Sequence, residues 1–391
     1  MTASRRGDEP SFIPYARQCI EDDDIQAVVD VLKSDFVTQG PQIERFEASL
    51  AEYTGARYAV AVSSGTAALH LSCQGLGIQA GDVGLVPAIT FAATANALRY
   101  VGAEVAFVDV DDRSGLASAE QFLAAADGLA EQSEKQVWLP VSYSGLPPDL
   151  PRIAAAARER GAFVVEDAAH SIGATYPDGA GSTCRSGSCS HSDAAILSFH
   201  PVKHLCAGEG GAVLTNDQTL ARRIRRLRSH GVERGRNWLY DQVELGSHYR
   251  MTELQAALGL SQLGKLDRFL ERRRAIAQRY QAALERQPFA GRVAMAHRPL
   301  ESAWHLFVIR FANAIEREAA YHYFREHQIG VQVHYFPVYQ HSYYRNFAGG
   351  HVSLPGAEAF YAACLSLPMY PQLTDADQDR VISTLKSFLQ R

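Results

Sequence analysis

The chain has 391 residues, of which 47% are hydrophobic and 21% charged, a balance suited to a globular protein with one large and one small domain, each with its own core. A net charge of -5 offers no broad basic field for nucleic acid, and the arginines at 222–228 and 272–274 sit at helical spacing beside apolar residues, as solvated faces do. No stretch approaches the roughly 20 apolar residues of a membrane span, and Met1–Pro10 lacks the apolar run of a signal peptide, so a cytoplasmic location without a membrane partner is expected.

Residues 1–12 read as a tail. In EDDDIQAVVDVLKS the apolar positions Ile25, Val28, Val29 and Leu32 fall on one helical face behind a run of acids suited to a helix N-terminus. A turn and a second helix follow through DFVTQGPQIERFEASLAEY. From there short apolar runs alternate with helical segments: YAVAV (58–62), VGLVPAI (83–89), VAFVDV (105–110), QVWLPV and AFVVEDAAH (162–170). That alternation predicts an α/β fold with a mostly parallel sheet covered by helices on both faces, whose sites lie beyond the carboxyl ends of the strands.

A Gly/Ser/Cys-rich loop is expected between Tyr176 and Asp193. Cys184, Cys189 and His191 fall within it, but they lack the second ligand pair of a zinc site, so no metal is expected. The six cysteines follow no short repeating frame and read as reduced thiols. After GAVLTND comes a basic helix at 218–230. Met251–Glu285 carries unbroken apolar periodicity and reads as one long connecting helix, bent near Gly259 or Gly264. WHLFVIRF, a helix at 315–327, VQVHYF and helices near 355–364 and 375–390 make a small α+β domain. The boundaries drawn are 1–12 for the tail, 13–255 for the large domain, and 256–391 for the connecting helix and small domain.

Four features concentrate the chemistry. The strand-like run Ala194–Phe199 leads into a turn that presents Lys203 beside Gly208, Gly210 and Gly211. An amine so placed can be desolvated until it is partly neutral, as a nucleophile that condenses with an aldehyde must be. Ser63-Ser64-Gly65-Thr66-Ala67 opens a helix after a strand, where first-turn N–H groups can hold a single phosphate. Asp167 ends another strand, with His170 close behind; a carboxylate there can cap the next turn or keep a pyridine nitrogen protonated. Phe91 follows a strand and can pack in the core or lay its ring on a flat heteroaromatic. Together these are the parts that pyridoxal 5′-phosphate requires.

With the motifs SSGTAALHLS, PAITFAATAN, VVEDAAHSIGATY, SDAAILSFHPVKHLCAGEGGAVLTND, YRMTELQAALGLSQL and VHYFPVY, the chain resembles the DegT/DnrJ/EryC1/StrS sugar aminotransferases from about Ile13 to its end. The resemblance implies the pyridoxal-phosphate fold of the aspartate aminotransferase type, fold type I. It makes Lys203 the lysine that bonds to the cofactor and moves protons, Asp167 the partner of the pyridine nitrogen, and His170 the neighbour of the phenolic oxygen. Phe91 takes the ring-stacking position, and Gly65, Thr66, Ala67 and Ser198 the phosphate. Tyr15, Asp35, Phe36, Val37, Thr38, His334, Tyr335, Phe336 and Pro337 match positions that line the nucleotide-sugar pocket.

Two departures stand out. His248 occupies the place of an asparagine that reaches the cofactor phosphate from the neighbouring subunit of a homodimer, and the loop Tyr176–Cys189 is longer than expected. IPYARQCI, SDFVTQGP, RSHGVER and SAWHLFVI further imply transfer of an amino group from L-glutamate to C4 of a UDP-4-keto-6-deoxy-N-acetylhexosamine of the pseudaminic acid type. Another 4-keto or 3-keto nucleotide sugar, a cofactor-dependent sugar dehydratase, and a non-catalytic regulator are the alternatives. The dehydratases replace the lysine with histidine, and this chain keeps Lys203.

Overall fold

The computed structural model describes residues 11–129, 135–296, 301–347 and 352–391. The expected tail therefore lies, up to residue 10, outside the described residues; beyond it, Ile13 bridges to Ile329 and its carbonyl accepts from the Gly330 N–H at 2.7 Å.

The strands in chain order are β1 (Tyr58–Val62), β2 (Val83–Pro87), β3 (Glu104–Val108), β4 (Gln136–Trp138), β5 (Phe163–Asp167), β6 (Thr175–Pro177), β7 (Thr183–Arg185), β8 (Ala194–Ser198), β9 (Gly211–Thr215), β10 (Val232–Arg234), β11 (Tyr240–Gln242), β12 (Ala294–Met295), β13 (Phe307–Arg310) and β14 (Cys364–Leu367). Seven of them form the main sheet, in the order β1-β9-β8-β5-β4-β2-β3. Every neighbouring pair is parallel except those made by β9, which runs against both β1 and β8. Because β9 alone is reversed, the carboxyl ends of β1, β2, β4, β5 and β8 meet at one edge, joined there by the start of β9. The expected mostly parallel α/β sheet is the one observed.

Both faces of the sheet are buried, which is why its strands read as continuous apolar runs. Alternate residues serve opposite layers. Val60, Val62, Ile196 and Val213 pack with the helices Gly65–Gly75, Ala92–Tyr100 and Gln218–Leu227. Ala59, Ala61, Leu197 and Leu214 face the other way, with Phe46, Leu50 and Ala256 of the helices Pro41–Thr54 and Glu253–Leu263. The period of two along each strand thus places the layers.

The expected single helix over 251–285 is two, Glu253–Leu263 and Leu266–Leu284. The break falls at Gly264-Lys265, where the Lys265 ammonium turns aside to Asp23 at 2.6 Å and Asp24 at 2.7 Å. Beyond them β12, β13 and β14 form a small antiparallel sheet, whose core joins Phe307, Ile309, Phe324, Val381 and Leu385. The Gly/Ser/Cys-rich stretch expected as a loop from Tyr176 opens with the β6–β7 hairpin, which begins at Thr175. No helix among the described residues is long and apolar enough to cross a membrane.

Candidate active site

At the carboxyl edge of the main sheet the structure encloses a cavity of about 420 Å³. The segment after β8 folds back on itself: Phe199 and Gly210 are joined N–H to carbonyl at 2.8 Å, and Ala207 N–H reaches the Phe199 carbonyl at 2.9 Å. Inside this closed turn the Lys203 N–H donates to the His200 carbonyl at 2.8 Å, which fixes the stem and delivers the amine into the cavity. Burial pushes the Lys203 ammonium down to about 8, and the Asp167 carboxylate opposes that shift.

Asp167 closes β5 and is 6% exposed. Its Oδ2 accepts from the Thr94 hydroxyl at 2.7 Å and its Oδ1 from the Ala169 N–H at 3.2 Å. Having donated to a carboxylate, the Thr94 oxygen accepts from Thr90, 2.8 Å away. Burial raises the Asp167 carboxyl, while Thr94, Ala169 and Lys203 act to lower it. Adjacent Glu166 points to the other side of the strand and serves the scaffold, accepting from the Ser186 hydroxyl and, at 3.1 Å, from the Gly187 N–H.

On β1 the chain leaves the sheet through Ser64, whose Oγ caps the helix Gly65–Gly75 by accepting the Ala67 N–H at 3.0 Å. Gly65 and Thr66, in the first turn, have N–H groups without an intrahelical partner, and both line the cavity. Close approach requires glycine here: a Cβ on Gly65 would lie 2.9 Å from the Ser198 Cβ, and one on Gly211 would lie 2.5 Å from the Ser64 carbonyl.

Of the residues singled out in the sequence, Tyr15, Gly65, Thr66, Phe91, Asp167, His170, Ser198, Lys203, His334 and Tyr335 line this one cavity. Phe91 is 62% exposed, an open ring at the rim rather than a core side chain. Ala67 lies behind the wall, with its N–H spent on the Ser64 cap. The structure does not bring the others to the cavity of a single chain. Asp35, Phe36, Val37 and Thr38 are exposed; the Val37 carbonyl accepts from the Glu253 N–H at 3.1 Å, and Thr38 bridges to Thr252. Phe336 turns toward His341 and Tyr361, at ring distances of 5.0 and 5.3 Å, and Pro337 leads into the turn Val338–Gln340. His248 is exposed, its ring stacked on His230 at 5.2 Å.

The cavity also contains Thr90, Thr94, His200, Glu209 and His305, to which the sequence reading gave no role. The Thr90–Thr94 pair carries a signal, two hydroxyls four residues apart at a helix start; which carboxylate they serve depends on the sheet order.

The donor set fits pyridoxal 5′-phosphate. It pairs a desolvated amine with a hydrogen-bonded carboxylate, an open aromatic ring and a helix N-terminus that tolerates no Cβ. His170 adds a buried Nδ1 with no hydrogen-bond partner among the described residues. Comparison with known proteins agrees. The model of the DegT/DnrJ/EryC1/StrS aminotransferase family matches residues 18–386. The spore coat polysaccharide biosynthesis protein SpsC of Bacillus subtilis (strain 168) is 35% identical over 393 aligned positions, 97% of each chain. Among solved structures, the aminotransferase TlmJ from Streptoalloteichus hindustanus superposes with a TM-score of 0.87 at 31% identity, over 97% of this chain and 99% of that one. Helicobacter pylori PseC, an aminotransferase involved in the biosynthesis of pseudoaminic acid, superposes at 0.89 with 26% identity, over 97% of this chain and all of its own. Matched over nearly its whole length, with the fold and the cavity in accord, the chain belongs to the DegT/DnrJ/EryC1/StrS aminotransferase family.

Proposed function

We propose that this protein is a pyridoxal 5′-phosphate-dependent sugar aminotransferase that takes the amino group of L-glutamate and places it on C4 of a UDP-4-keto-6-deoxy-N-acetylhexosamine, giving a UDP-4-amino sugar and 2-oxoglutarate. The observation that carries this reading is the meeting of Lys203 and Asp167 in one cavity at the carboxyl edge of the sheet. Bound there, the cofactor supplies an electron sink for the carbon that bears the transferred amine.

Lys203 Nζ anchors the cofactor and, once released, takes the proton from the donor's amine-bearing carbon and returns one to the sugar. Burial raises the Asp167 carboxyl, and the Thr94 hydroxyl and the Ala169 N–H oppose that rise, favouring the carboxylate form that would hold a proton on the pyridine nitrogen. With the cofactor bound, Phe91 would pack on its ring, His170 would stand toward its phenolic oxygen, and Gly65, Thr66 and Ser198 would hold its phosphate, while Ala67, its N–H spent on the Ser64 cap, would not contribute. Tyr15, His334 and Tyr335 line the sugar side of the cavity. Asp35 to Thr38, Phe336, Pro337 and His248 lie outside the cavity of one chain, and they join the site by reaching across a homodimer or by closing on substrate.

The PseC likeness supports a sugar of the pseudaminic acid type. The identity to SpsC favours a second reading, a different keto sugar destined for a surface polysaccharide. A panel of 4-keto and 3-keto nucleotide sugars incubated with glutamate and read by mass spectrometry separates them. Exchange of oxygen for nitrogen at C4 of the UDP-linked hexosamine is the result expected. Loss of oxygen alone indicates a dehydratase, and cofactor binding with no glutamate-dependent product indicates a regulator. Borohydride trapping with peptide mapping should place the cofactor on Lys203; full turnover in a Lys203→Ala variant overturns the proposal.

A further inference from the structure

From the cavity wall inward three imidazoles stand in a run, His170 and His305 in the lining and His204 behind it. The rings of His170 and His305 are 4.2 Å apart and tilted by 36°, and those of His305 and His204 are 5.4 Å apart. None of the three is more than 5% exposed. The far end is anchored, because His204 Nε2 lies 2.9 Å from the Ala303 carbonyl; a carbonyl only accepts, so the proton sits on Nε2. At the near end His170 Nε2 lies 3.3 Å from the Tyr335 hydroxyl, and both residues face the cavity.

The middle ring is held differently. His305 Nδ1 has no hydrogen-bond partner among the described residues, and the residue is fixed through its main chain. Arg273, 1% exposed, sets Nη1 at 3.1 Å from the Trp304 carbonyl, 3.3 Å from that of His305 and 3.2 Å from that of Met369. No carboxylate among the described residues pairs with Arg273, so carbonyl dipoles alone offset its charge. A buried guanidinium is a costly way to join three carbonyls. What it provides is a rigid, permanently positive backing to the imidazole run.

We infer that His305, pinned through its own carbonyl by Arg273, is a positioning residue for the transfer reaction: its ring is the plate on which the His170 imidazole is seated against the Tyr335 hydroxyl. The inference rests on the reading of the cavity as a cofactor site. Burial first, and then the charges of Lys203, Arg273 and the neighbouring imidazoles, hold His305 well below the ordinary histidine range. His170 is held down in the same way, by burial and then by Lys203, His334 and His204. Held in this way, the rings of the run fix position and do not compete with Lys203 Nζ for the proton it moves. Supports of this kind set the geometry of the groups that touch the reacting atoms.

The test compares His305→Phe, which keeps a ring, with His305→Ala and His305→Leu, which do not; Leu covers the case in which Ala fails to fold. In the full-length cofactor-free protein, the 15N resonances of the His170 imidazole, assigned with a His170→Gln variant, should hold in Phe and move in Ala or Leu. In the loaded enzyme kcat should stay within about threefold in Phe and fall about tenfold in Ala or Leu, with KM for glutamate unchanged. Unmoved His170 resonances in the ringless variants, or a loss of kcat in Phe as large as in Ala, would overturn the inference. The resonance arm needs no turnover. A parent protein that binds the cofactor without transferring an amino group therefore counts against the proposed function and leaves the role of His305 to be decided on its own.

Discussion

Two opposing fields act on the Lys203 ammonium. Desolvation pushes it down to about 8 from an ordinary value of 10.5, while the Asp167 carboxylate pulls it back up. The nucleophile is the neutral amine, so at pH 7 roughly a tenth of the molecules carry it, hundreds of times more than for an exposed lysine. Reductive trapping of a small aldehyde by the cofactor-free protein should therefore label Lys203 in proportion to pH, with a midpoint near 8 read by peptide mapping. A midpoint at the ordinary lysine value would mean that the turn after β8 leaves the amine in water. Thr94 acts on the partner group. In Thr94→Val the Asp167 carboxylate loses its 2.7 Å donor, one hydrogen bond to a charged group, worth about 1.5–3 kcal/mol. Burial is then less opposed, the carboxyl holds its proton to higher pH, and a neutral acid cannot support a pyridinium. Cofactor affinity, followed by fluorescence titration, is expected to drop about ten- to a hundredfold; parent-like affinity would show that Thr94 only packs.

The elements that hold the site were legible where a strand is buried on both faces and opaque where distant segments bond through side chains. VGLVP and YAVAV read as strands because all or nearly all of their positions are buried, and the glycines beside Lys203 announced a close approach. The bend expected near Gly259 or Gly264 falls at Gly264-Lys265; that it is a full break was not visible, because the ammonium that turns aside there is drawn to Asp23 and Asp24, some 240 residues away in the chain. VQVHYF alternates like a strand, yet it makes only an isolated bridge, Gln332 to Ser366, since the chain there turns to present His334 and Tyr335 to the cavity. Glu253 is of the same kind. Gly40 has no side chain to cap the helix Pro41–Thr54, and Glu253, 1% exposed, reaches over from another helix to accept the N–H groups of Gln42 at 2.7 Å and Ile43 at 3.2 Å. Glu253→Ala leaves these donors without an acceptor and should destabilise the protein by about 1–3 kcal/mol, while Glu253→Gln, keeping one oxygen, should lose less. Urea unfolding midpoints decide it; equal losses in the two variants would argue that volume, not hydrogen bonding, sets the cost.

At the scale of the whole molecule the cavity of one chain is short of positive charge. Among the described residues its lining includes no arginine, and the first-turn N–H groups of Gly65 and Thr66 share it with a single lysine, although both proposed substrates are anionic. Meanwhile the β10–β11 hairpin and its flank leave Trp238 at 87%, Tyr240 at 69% and Leu245 at 80% exposure. A two-stranded ribbon is marginal alone, and large apolar side chains at such exposure make this flank a candidate surface for association. His248 stands at the same flank, bridged to Ser229. A homodimer that trades this flank would complete each site with charge from the second copy, and complementation tests that arrangement. Lys203→Ala removes the amine and His248→Glu puts a negative charge where a phosphate would sit, so each variant alone should be nearly inactive. If His248 serves the neighbouring subunit's cavity, mixing the two under conditions that let subunits exchange restores one intact site in every heterodimer, about a quarter of parental activity at equal amounts. If His248 serves its own cavity, both sites of every heterodimer are spoiled and the mixture stays as inactive as its components.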